Sequence, residues 1–299
     1  MVSSAPLVKK LATHIPGFDL IAEGGLPIGR TTLLAGTSGS AKTVFAVQFL
    51  AQGILQEEES GVFVTFEESP ADIRINMRSF GWDITQWEAD GRWAFVDASP
   101  QPEDETIVAG SYDLGALLAR ISYAIEHTGA TRIALDSLGS VFTRFQEHSV
   151  VRREFFRIAA ELKQMWLTSI MTAEREEEYG SVSRYGVEEF VADNVILLRN
   201  VLENEKRRRT IEALKFRGTS HQKGEFPFTV STEKGVTVIP VSSVSLMQPA
   251  PSHRITSGNA DLDRMCGGGF FRGAIVLVSG ATGTGKTLLS TEFIAGGAT

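Results

Sequence analysis

The sequence has few of the features that mark secreted, membrane-spanning or zinc-binding proteins. Cys266 is the only cysteine, which excludes disulfides within the chain and makes a cytoplasmic location the simplest interpretation. No apolar run approaches the roughly 18 residues of a membrane-spanning helix, and the N-terminus lacks the apolar core of a signal peptide. The five histidines show no ligand spacing, so a zinc-type site is not expected.

A surplus of basic residues is also missing. The formal net charge is −7, which disfavours general binding to nucleic acid and leaves room only for local basic patches. Apolar residues make up 42% of the chain and charged residues 22%, the balance of a globular protein with a substantial core. The length of 299 residues allows one large or two medium domains.

Two short stretches stand out, GTSGSAKT at residues 36–43 and GATGTGKT at residues 280–287. The second fits the phosphate-binding pattern G-x-x-x-x-G-K-[ST] in full, and the first carries Ala41 where the pattern has glycine. Each follows an apolar, strand-like run and precedes a helical one. These runs are residues 31–35 and 44–51 around the first stretch and residues 274–279 and 288–295 around the second. In such a loop, backbone N–H groups and a helix N-terminus bind phosphate, the lysine reaches the outer phosphates and the threonine hydroxyl holds Mg²⁺.

The two stretches belong to a longer repeat with a constant spacing of 244 residues (280 minus 36). The same spacing relates Asp19 to Asp263, Gly24 to Gly268, Gly25 to Gly269, Gly29 to Gly273 and Phe49 to Phe293. We interpret this as a tandem duplication of a whole domain. We expect a first domain at residues 1–241, a Ser/Pro-rich linker at 242–254 and the beginning of a second domain at 255–299. One strand and one helix cannot build a sheet buried on both faces, so we expect a fragment of a two-domain protein, or a product cut inside domain two.

Within the first domain, strand-like and helix-like runs alternate. Strands are predicted at residues 31–35, 62–66, 93–96, 132–135 and 167–172, and helices at 44–51, 73–80, 112–127 and 150–165. The alternation predicts an α/β fold with a mostly parallel twisted sheet and helices on both faces. Two antiparallel hairpins are predicted at one edge of this sheet. They comprise residues 193–200 and 210–216, joined by a charged turn at 203–209, and residues 226–230 and 235–239.

Three carboxylates are candidates for the chemistry of phosphoryl transfer to water. Asp136 ends an apolar strand-like run and suits a metal-binding role, with helix capping as the alternative. Glu67 and Glu68 follow the strand at 62–66, and ligands in open α/β sheets bind at the carboxyl ends of the strands. Adjacent carboxylates elsewhere usually form only a solvated turn. Beside a phosphate-binding loop, they are candidates for orienting the attacking water.

Two groups of cations admit more than one interpretation. The run KRRR at residues 206–209 is most simply a solvated hairpin tip, with contacts to nucleic acid or to phosphate as alternatives. Lys215 and Arg217 end a predicted strand, and ring ATPases place such cations in the neighbouring subunit's nucleotide site. Trp82 and Trp87 are expected in the core, with stacking platforms as the alternative.

The sequence resembles the KaiC family of circadian-clock ATPases and autokinases, within the RecA-like P-loop superfamily. The resemblance covers essentially the whole chain and rests on long runs. These are GGLPIGR at residues 24–30, GVFVTFEES at 61–69, RSFGWD at 78–83, RYGVEEFV at 184–191, GTSH at 218–221 and MCGGGFF at 265–271. It implies a RecA-like α/β fold and a homohexameric double ring that binds ATP between subunits. The first domain would be a slow ATPase, and the second domain would carry the autokinase activity.

The resemblance also assigns roles to individual residues. Glu67 and Glu68 would be the catalytic carboxylates, and Thr43 and Thr287 would hold Mg²⁺, with Asp136 acting through water. In the first domain the ATP-binding residues would be Gly36, Thr37, Ser38, Gly39, Ser40, Ala41, Lys42, Thr43, Val44 and Ser79. Residues reaching the neighbouring subunit's nucleotide would be Lys215, Phe216, Arg217, Thr219 and His221, with Ser231 and Thr232 as further nucleotide contacts. In the second domain they would be Thr282, Gly283, Thr284, Gly285, Lys286, Thr287 and Leu288.

Three departures from the family pattern affect what we expect. Ala41 places a methyl group where backbone must approach phosphate, so we expect weakened ATP handling rather than its loss. Ser231 and Thr232 stand where the family usually has Thr-Asp. The rest of domain two is absent, so autokinase activity and a KaiA-like partner are expected only of the complete protein. A KaiB-like partner could still bind the first ring.

Two other functions compete with a clock ATPase. A RecA-like motor that handles DNA, or a KaiC-like ATPase in signalling, would share the fold, and the negative net charge disfavours DNA binding. An ATP-gated assembly module without hydrolysis is supported only by Ala41.

Overall fold

The computed structural model of the chain describes residues 8–99, 114–137, 139, 148–184, 186, 188–240 and 252–297. Contacts within the chain group it into two compact units, Met1–Ser243 and Val244–Thr299. The loop at residues 36–43 lies in the first unit and the loop at 280–287 in the second.

The first unit is built around a nine-stranded sheet. Its strands are β3 (Thr31–Gly36), β4 (Gly61–Thr65), β5 (Trp93–Asp97), β6 (Arg132–Asp136), β7 (Thr168–Glu174), β8 (Asn194–Glu203), β9 (Lys206–Phe216), β10 (Phe226–Ser231) and β11 (Gly235–Val238). They lie in the order β11-β10-β9-β8-β3-β7-β6-β4-β5. The strands from β8 to β5 in this order pair in parallel, and β9, β10 and β11 add antiparallel pairs at one side. The predicted α/β fold, with a mostly parallel sheet and antiparallel hairpins, is therefore confirmed.

Helices cover both faces of this sheet. They are α1 (Phe18–Ile21), α2 (Lys42–Glu57), α3 (Pro70–Arg78), α4 (Ile84–Ala89), α5 (Leu114–Thr128), α6 (His148–Gln164) and α7 (Glu188–Val191). Successive strand residues alternate between the two cores, as a buried parallel sheet requires. In β3, Leu34 packs with α2 on one face, whereas Leu33 packs with α5 and α6 on the other. Trp82 and Trp87 are buried in the α2-side core, as predicted.

The hairpin of β8 and β9 differs from the prediction in one respect. The predicted charged turn at residues 203–209 is wrong, because Lys206 already pairs with Glu203 and the strand continues through the basic run. Asn204 and Glu205 alone make the turn, with φ of 48° and 63°. Two consecutive residues with left-handed backbone form the tight turn that suits the twist of paired strands. Pairing of β9 with β8 therefore extends the strand through the basic run, although the charges of that run had predicted a turn.

Both units begin with the same small structure. In the first unit, β1 (Lys10–Leu11) pairs with β2 (Leu26–Pro27), and in the second, β12 (Arg254–Ile255) pairs with β13 (Phe270–Phe271). The two registers are related residue by residue through the spacing of 244, since Lys10 faces Pro27 and Arg254 faces Phe271. The duplication seen in the sequence is thus repeated in the backbone. The second unit also contains α8 (Ala260–Met265) and α9 (Lys286–Gly297).

The strand predicted at residues 274–279 does not form. These residues are exposed and form no strand, although residues 31–35, which match 275–279, lie at the centre of the large sheet. A strand is stabilised by hydrogen bonds to a neighbour, and in the described part of the second unit no strand pairs with this run. The apolar pattern indicated strand propensity but could not supply the partner.

Candidate active site

The loop at residues 36–43 connects the carboxyl end of β3 to the first turn of α2. The Lys42 ammonium donates to the carbonyl oxygens of Gly36 and Thr37, each over 2.9 Å. The Ser40 hydroxyl donates to the Thr37 carbonyl over 2.7 Å. At Gly36 a Cβ would lie 2.4 Å from the Ser40 hydroxyl oxygen and 2.7 Å from a backbone oxygen, so only glycine fits there. The loop therefore curls around the lysine side chain.

Ala41 adopts the backbone conformation that the phosphate-binding pattern reserves for glycine. Its φ is 73° and its ψ is 29°, and it is the N-cap of α2. The matching residue of the second loop, Gly285, has φ of 83°. The left-handed conformation costs a residue with a Cβ about 1–2 kcal/mol. The loop thus keeps its shape in spite of Ala41, at a local energetic cost.

The second loop repeats the internal contacts of the first. The Lys286 ammonium donates to the Gly280 and Ala281 carbonyl oxygens over 2.8 Å and 2.6 Å. The Thr284 hydroxyl donates to the Ala281 carbonyl over 2.8 Å, as Ser40 does in the first loop. Apart from the half-buried Lys286, the predicted ATP-binding residues of this loop are exposed. The described part of the second unit brings no carboxylate to this lysine, so the candidate chemistry lies in the first unit.

Asp136 and Thr43 form the candidate metal site. The Thr43 hydroxyl donates to Oδ2 of Asp136 over 2.6 Å, and the Thr172 hydroxyl donates to Oδ1. Asp136 ends β6 and faces Thr65 of β4, so parallel pairing carries the carboxylate to the edge where the loop lies. A hydroxyl and a carboxylate oxygen side by side are ligands that Mg²⁺ accepts, and the residues present therefore fit this ion.

Glu67 and Glu68 follow β4 at the same edge and have different surroundings. Glu67 is exposed, and one of its carboxylate oxygens accepts from the Ser137 hydroxyl over 3.1 Å. Glu68 is half-buried and accepts from the Asn76 side-chain amide over 2.8 Å. Burial, and secondly the charge of Asp136, raise the pKa of the Glu68 carboxyl above its ordinary value. The two adjacent glutamates thus offer one exposed carboxylate close to the metal residues and one that holds its proton more tightly.

The Lys42 ammonium is the cation at the centre of this edge. Burial lowers its pKa, and the nearby carboxylates act in the opposite direction. In decreasing order of effect these belong to Glu174, Asp136, Glu67 and Glu178. A desolvated ammonium interacts strongly with an anion that enters the same low-dielectric site.

Residues outside the phosphate-binding loop also contact it, and the sequence did not predict these contacts. The Thr37 hydroxyl donates to Glu178 over 2.6 Å, and Glu178 also accepts the backbone N–H of Asn200 over 2.9 Å. The Asn200 side-chain amide and the Arg209 guanidinium lie 3.4 Å from the Gly39 carbonyl oxygen. Glu178 follows two other glutamates, a pattern that indicates only a solvated loop, so the sequence carried no signal for this contact. The basic run at 206–209 extends the hairpin, and its Arg209 reaches the loop.

The predicted intersubunit residues lie at the opposite ends of the strands from the phosphate-binding loop. Phe216 faces Asn194, which faces Thr32 near the start of β3, whereas the loop begins at Gly36 at the other end of that strand. Four residues of strand correspond to about 13 Å. The structure therefore does not bring Lys215 and Arg217 to the loop of their own chain.

Contacts within the chain hold these cations. The Lys215 ammonium donates to the Glu189 and Ala192 carbonyl oxygens, each over 2.9 Å. Burial, and secondly the charge of Arg217, lower the Lys215 pKa. The Arg217 guanidinium donates to the Phe190 carbonyl over 3.1 Å.

The remaining predicted contacts occupy separate places. The His221 ring packs on Phe216 with centroids 5.2 Å apart, and Thr219 is half-buried close by in the chain. Ser79 is exposed at the C-cap of α3, and its hydroxyl donates to the Asn76 carbonyl over 3.0 Å. Ser231 ends β10, Thr232 begins the turn to β11, and both are exposed. Hydrogen bonds connect this turn and the start of β11 to α2. The Gln48 side-chain amide donates to the Lys234 and Val236 carbonyl oxygens, each over 3.1 Å.

The phosphate-binding loop between β3 and α2, the acid at the end of β6 and the central parallel sheet define a P-loop ATPase of the RecA-like α/β class. The family model described as "ATPase: KaiC" matches residues 11–243 and 255–299. The chain belongs to the KaiC family, which confirms the resemblance found in the sequence. Membership implies ATP as the nucleotide.

Named relatives agree with this assignment. Circadian clock protein KaiC3 of Synechocystis sp. is 63% identical over 290 residues, 97% of this chain and 57% of that protein. The circadian clock oscillator protein KaiC of Synechococcus elongatus is 55% identical over 287 residues, 96% of this chain and 55% of that protein. Oscillator protein KaiC 1 of Synechocystis sp. is 56% identical over 287 residues, with the same coverage. The chain thus spans little more than half the length of these relatives.

Among the residues that the structure describes, no helix is both long and apolar enough to cross a bilayer.

Proposed function

We propose that this chain forms the ATP-hydrolysing part of a circadian-clock ring protein, with Mg²⁺ as its cofactor. One observation carries the proposal. The phosphate-binding loop, Asp136 and the pair Glu67 and Glu68 meet at one edge of the sheet, with the groups that phosphoryl transfer to water requires.

Each group has a definite task in this proposal. The backbone N–H groups of the loop and the Lys42 ammonium bind the phosphates of ATP. Thr43 would hold Mg²⁺ directly and Asp136 would hold it through water, and the bound ion would supply positive charge against the phosphate oxygens. The Glu67 carboxylate orients the attacking water, and Glu68 supports it. We infer these roles from residue type and position together.

A ring of subunits explains why the phosphate-binding loop and the intersubunit cations lie at opposite ends of the strands. The intersubunit cations lie about 13 Å along the strands from the level of their own loop, so they serve a nucleotide site only on another copy of the chain. A head-to-tail interface that closes produces such an arrangement, with each site completed by a neighbour. We propose the homohexamer implied by the family resemblance, with Lys215 and Arg217 placed at the neighbour's phosphates and Phe216, Thr219 and His221 also at the neighbour's nucleotide. Ser79 would contact the base or ribose of the chain's own nucleotide, and Ser231 and Thr232 would be further nucleotide contacts.

A subunit-mixing experiment tests this proposal. One variant carries Lys215→Ala and Arg217→Ala, and the other carries Glu67→Gln and Glu68→Gln. Each alone should release little phosphate from ATP, whereas the mixture should recover part of the wild-type turnover, because loops of the first variant meet cations of the second. Native mass with and without ATP shows whether the two variants assemble together. Mixed rings without recovered turnover would contradict cations acting between subunits.

Autokinase activity and binding partners form a second part of the proposal. We propose that autokinase activity and a KaiA-like partner require a complete second domain, and that a KaiB-like partner binds the first ring. A cytoplasmic location remains a prediction from the single cysteine. The alternative of DNA handling is disfavoured by the negative net charge, and arginines of the exposed basic hairpin also make contacts within the chain. Arg207 donates to the Asn200 carbonyl over 2.8 Å, and Arg208 lies 3.7 Å from Glu203.

A further inference from the structure

The carboxylate of Asp136 lies between two threonine hydroxyls. Thr43 of the phosphate-binding loop donates to Oδ2 over 2.6 Å, and Thr172 of β7 donates to Oδ1. Thr43 belongs to the loop pattern and has an assigned role in holding Mg²⁺. Thr172 belongs to no motif, and its contact places a third side chain at the metal residues.

The fold fixes Thr172 in this position. β6 and β7 are neighbours in the sheet, with Leu135 facing Met171, so Thr172 follows one residue later beside Asp136. Thr172 is 1% exposed, and a β-branched side chain has few χ1 rotamers available in a strand. Its hydroxyl has a single hydrogen. The Leu135 carbonyl oxygen is 3.5 Å away, so the closer and charged Asp136 oxygen is the acceptor that binds it.

We propose that Thr172 is a positioning residue for the metal-binding carboxylate. By holding Oδ1, the Thr172 hydroxyl fixes the rotation of the Asp136 carboxylate, so that Oδ2 faces Thr43. Hydrogen-bond partners of metal ligands commonly set metal affinity in this way, and their loss costs about 10- to 100-fold in affinity or activity. The inference rests on the proposed Mg²⁺-dependent ATPase function.

Two substitutions separate orientation from packing. Thr172→Val keeps the β-branched shape and removes the donor, whereas Thr172→Ser keeps the donor and removes a methyl group. Ser169→Ala is the matched control, because Ser169 is buried in the same strand and donates to Thr31 over 3.1 Å, away from the metal residues. If Thr172 acted only through packing, Thr172→Ser would be the more damaging change at this position.

Metal binding is read without turnover, by electron paramagnetic resonance of Mn²⁺ titrated into protein saturated with ADP. Thr172→Val should weaken Mn²⁺ binding by about 10-fold or more, and Thr172→Ser should stay within about 3-fold of wild type. Binding of ADP in the presence of EDTA should change little in either variant. The Mg²⁺ concentration for half-maximal ATP turnover should shift in the same order.

Several results would overturn the assignment. One is wild-type Mn²⁺ binding in Thr172→Val, and another is equal weakening of Mn²⁺ binding by Ser169→Ala. Equal weakening by Thr172→Ser and Thr172→Val would show that packing matters rather than the hydroxyl. Because Mn²⁺ binding needs no turnover, a wild-type protein that binds Mn²⁺ with ADP and releases no phosphate from ATP would contradict the proposed function alone.

Discussion

The hydroxyl of Thr37, the second residue of the phosphate-binding loop, donates to the carboxylate of Glu178 over 2.6 Å. Glu178 also accepts the backbone N–H of Asn200 over 2.9 Å, so a loop that follows β7 ties the phosphate-binding loop to β8. The arrangement has two opposing effects on nucleotide binding. It holds the loop in shape, and it adds a negative charge near the place where phosphates bind.

Glu178→Gln and Glu178→Ala should separate these effects. Glutamine removes the charge and keeps an acceptor oxygen for Thr37, while its amide group replaces the oxygen that accepts from the Asn200 N–H. Removal of the charge should let ADP bind about 2- to 5-fold more tightly, as expected for one partly screened charge. Alanine removes charge and acceptor together, so the affinity should be lower than in Glu178→Gln. Fluorescence titration with ADP at low and high salt measures both. Glu177→Gln, an exposed change in the same loop, is the control, and an equal gain there would show that only net charge matters.

Replacing Ala41 by glycine tests the cost of the first loop's departure from the pattern. Because Ala41 already has φ of 73°, Ala41→Gly should keep the loop's shape while removing a methyl group and its strain. We expect a lower Kd for ATP and a higher turnover. The stability should change by less than about 1 kcal/mol, since relief of strain is offset by the greater freedom of glycine in the unfolded chain. Nucleotide titration and phosphate release measure the effect, and unchanged values for both would refute weakened ATP handling.

The other end of the same helix provides the control for this substitution. Glu58 is the C-cap of α2 with φ of 54°, and it is exposed. Glu58→Gly should therefore relieve a similar backbone strain without altering nucleotide affinity. An affinity gain in both variants would point to stabilisation of α2 rather than to the phosphate contact.

Much of the site follows from local sequence, because parallel strands bring their carboxyl ends to one edge. That rule alone placed Glu67 and Asp136 beside the loop, and the structure agrees, with Thr65 facing Asp136 across adjacent strands. The partners of these residues could not be predicted in the same way. Thr172 has the appearance of an ordinary strand residue, and its role depends on which strand lies next to β6. Glu178 lies in an acidic run whose contacts are made by tertiary structure.

The fold shows the same division between local and long-range information. Strand propensity identified the central strands correctly, since they also have neighbours on both sides. At residues 274–279 the same propensity was misleading, because a strand needs a partner as well as a pattern. The basic run at 206–209 shows the opposite error. Its charges predicted a turn, whereas its backbone pairs with β8 as part of a strand.

Arg132 should be among the side chains whose loss destabilises the first unit most. It is 1% exposed, and it donates to Glu59 and to the carbonyl oxygens of Phe49 and Ala12, the latter two over 3.1 Å each. Arg132→Met would leave these acceptors without their donor, which for a buried ion pair costs about 3–5 kcal/mol. Urea unfolding followed by circular dichroism measures the loss, which should appear as a lower midpoint.

A more exposed ion pair gives the comparison. Arg74 donates to Glu88 over 2.6 Å, with about 31% and 26% of the two side chains exposed. Arg74→Met should therefore cost no more than about 1 kcal/mol. Equal losses for Arg74→Met and Arg132→Met would contradict the importance of burial for Arg132.

Glu68 should make the stability of the first unit depend on pH. Burial, and secondly the charge of Asp136, raise its pKa above the ordinary value of 4.5, so the folded protein retains the proton at pH values where the unfolded chain has lost it. The ionised carboxylate therefore destabilises the folded state. The penalty is absent below pH 4.5, grows as the pH rises through the folded-state pKa, and is complete above it.

Glu68→Gln removes this penalty while keeping an oxygen that accepts from Asn76, so the variant should melt at a higher temperature than wild type at pH 8. The difference should shrink as the pH falls towards 4.5, because the wild-type carboxyl then becomes neutral in both states. Melting curves across this range measure the effect, with the exposed Glu126→Gln on α5 as the control. A gain that is the same at every pH, or is shared by the control, would contradict the role of the Glu68 charge. The same variant should release less phosphate from ATP, because the group that destabilises the fold is one that the proposed reaction uses.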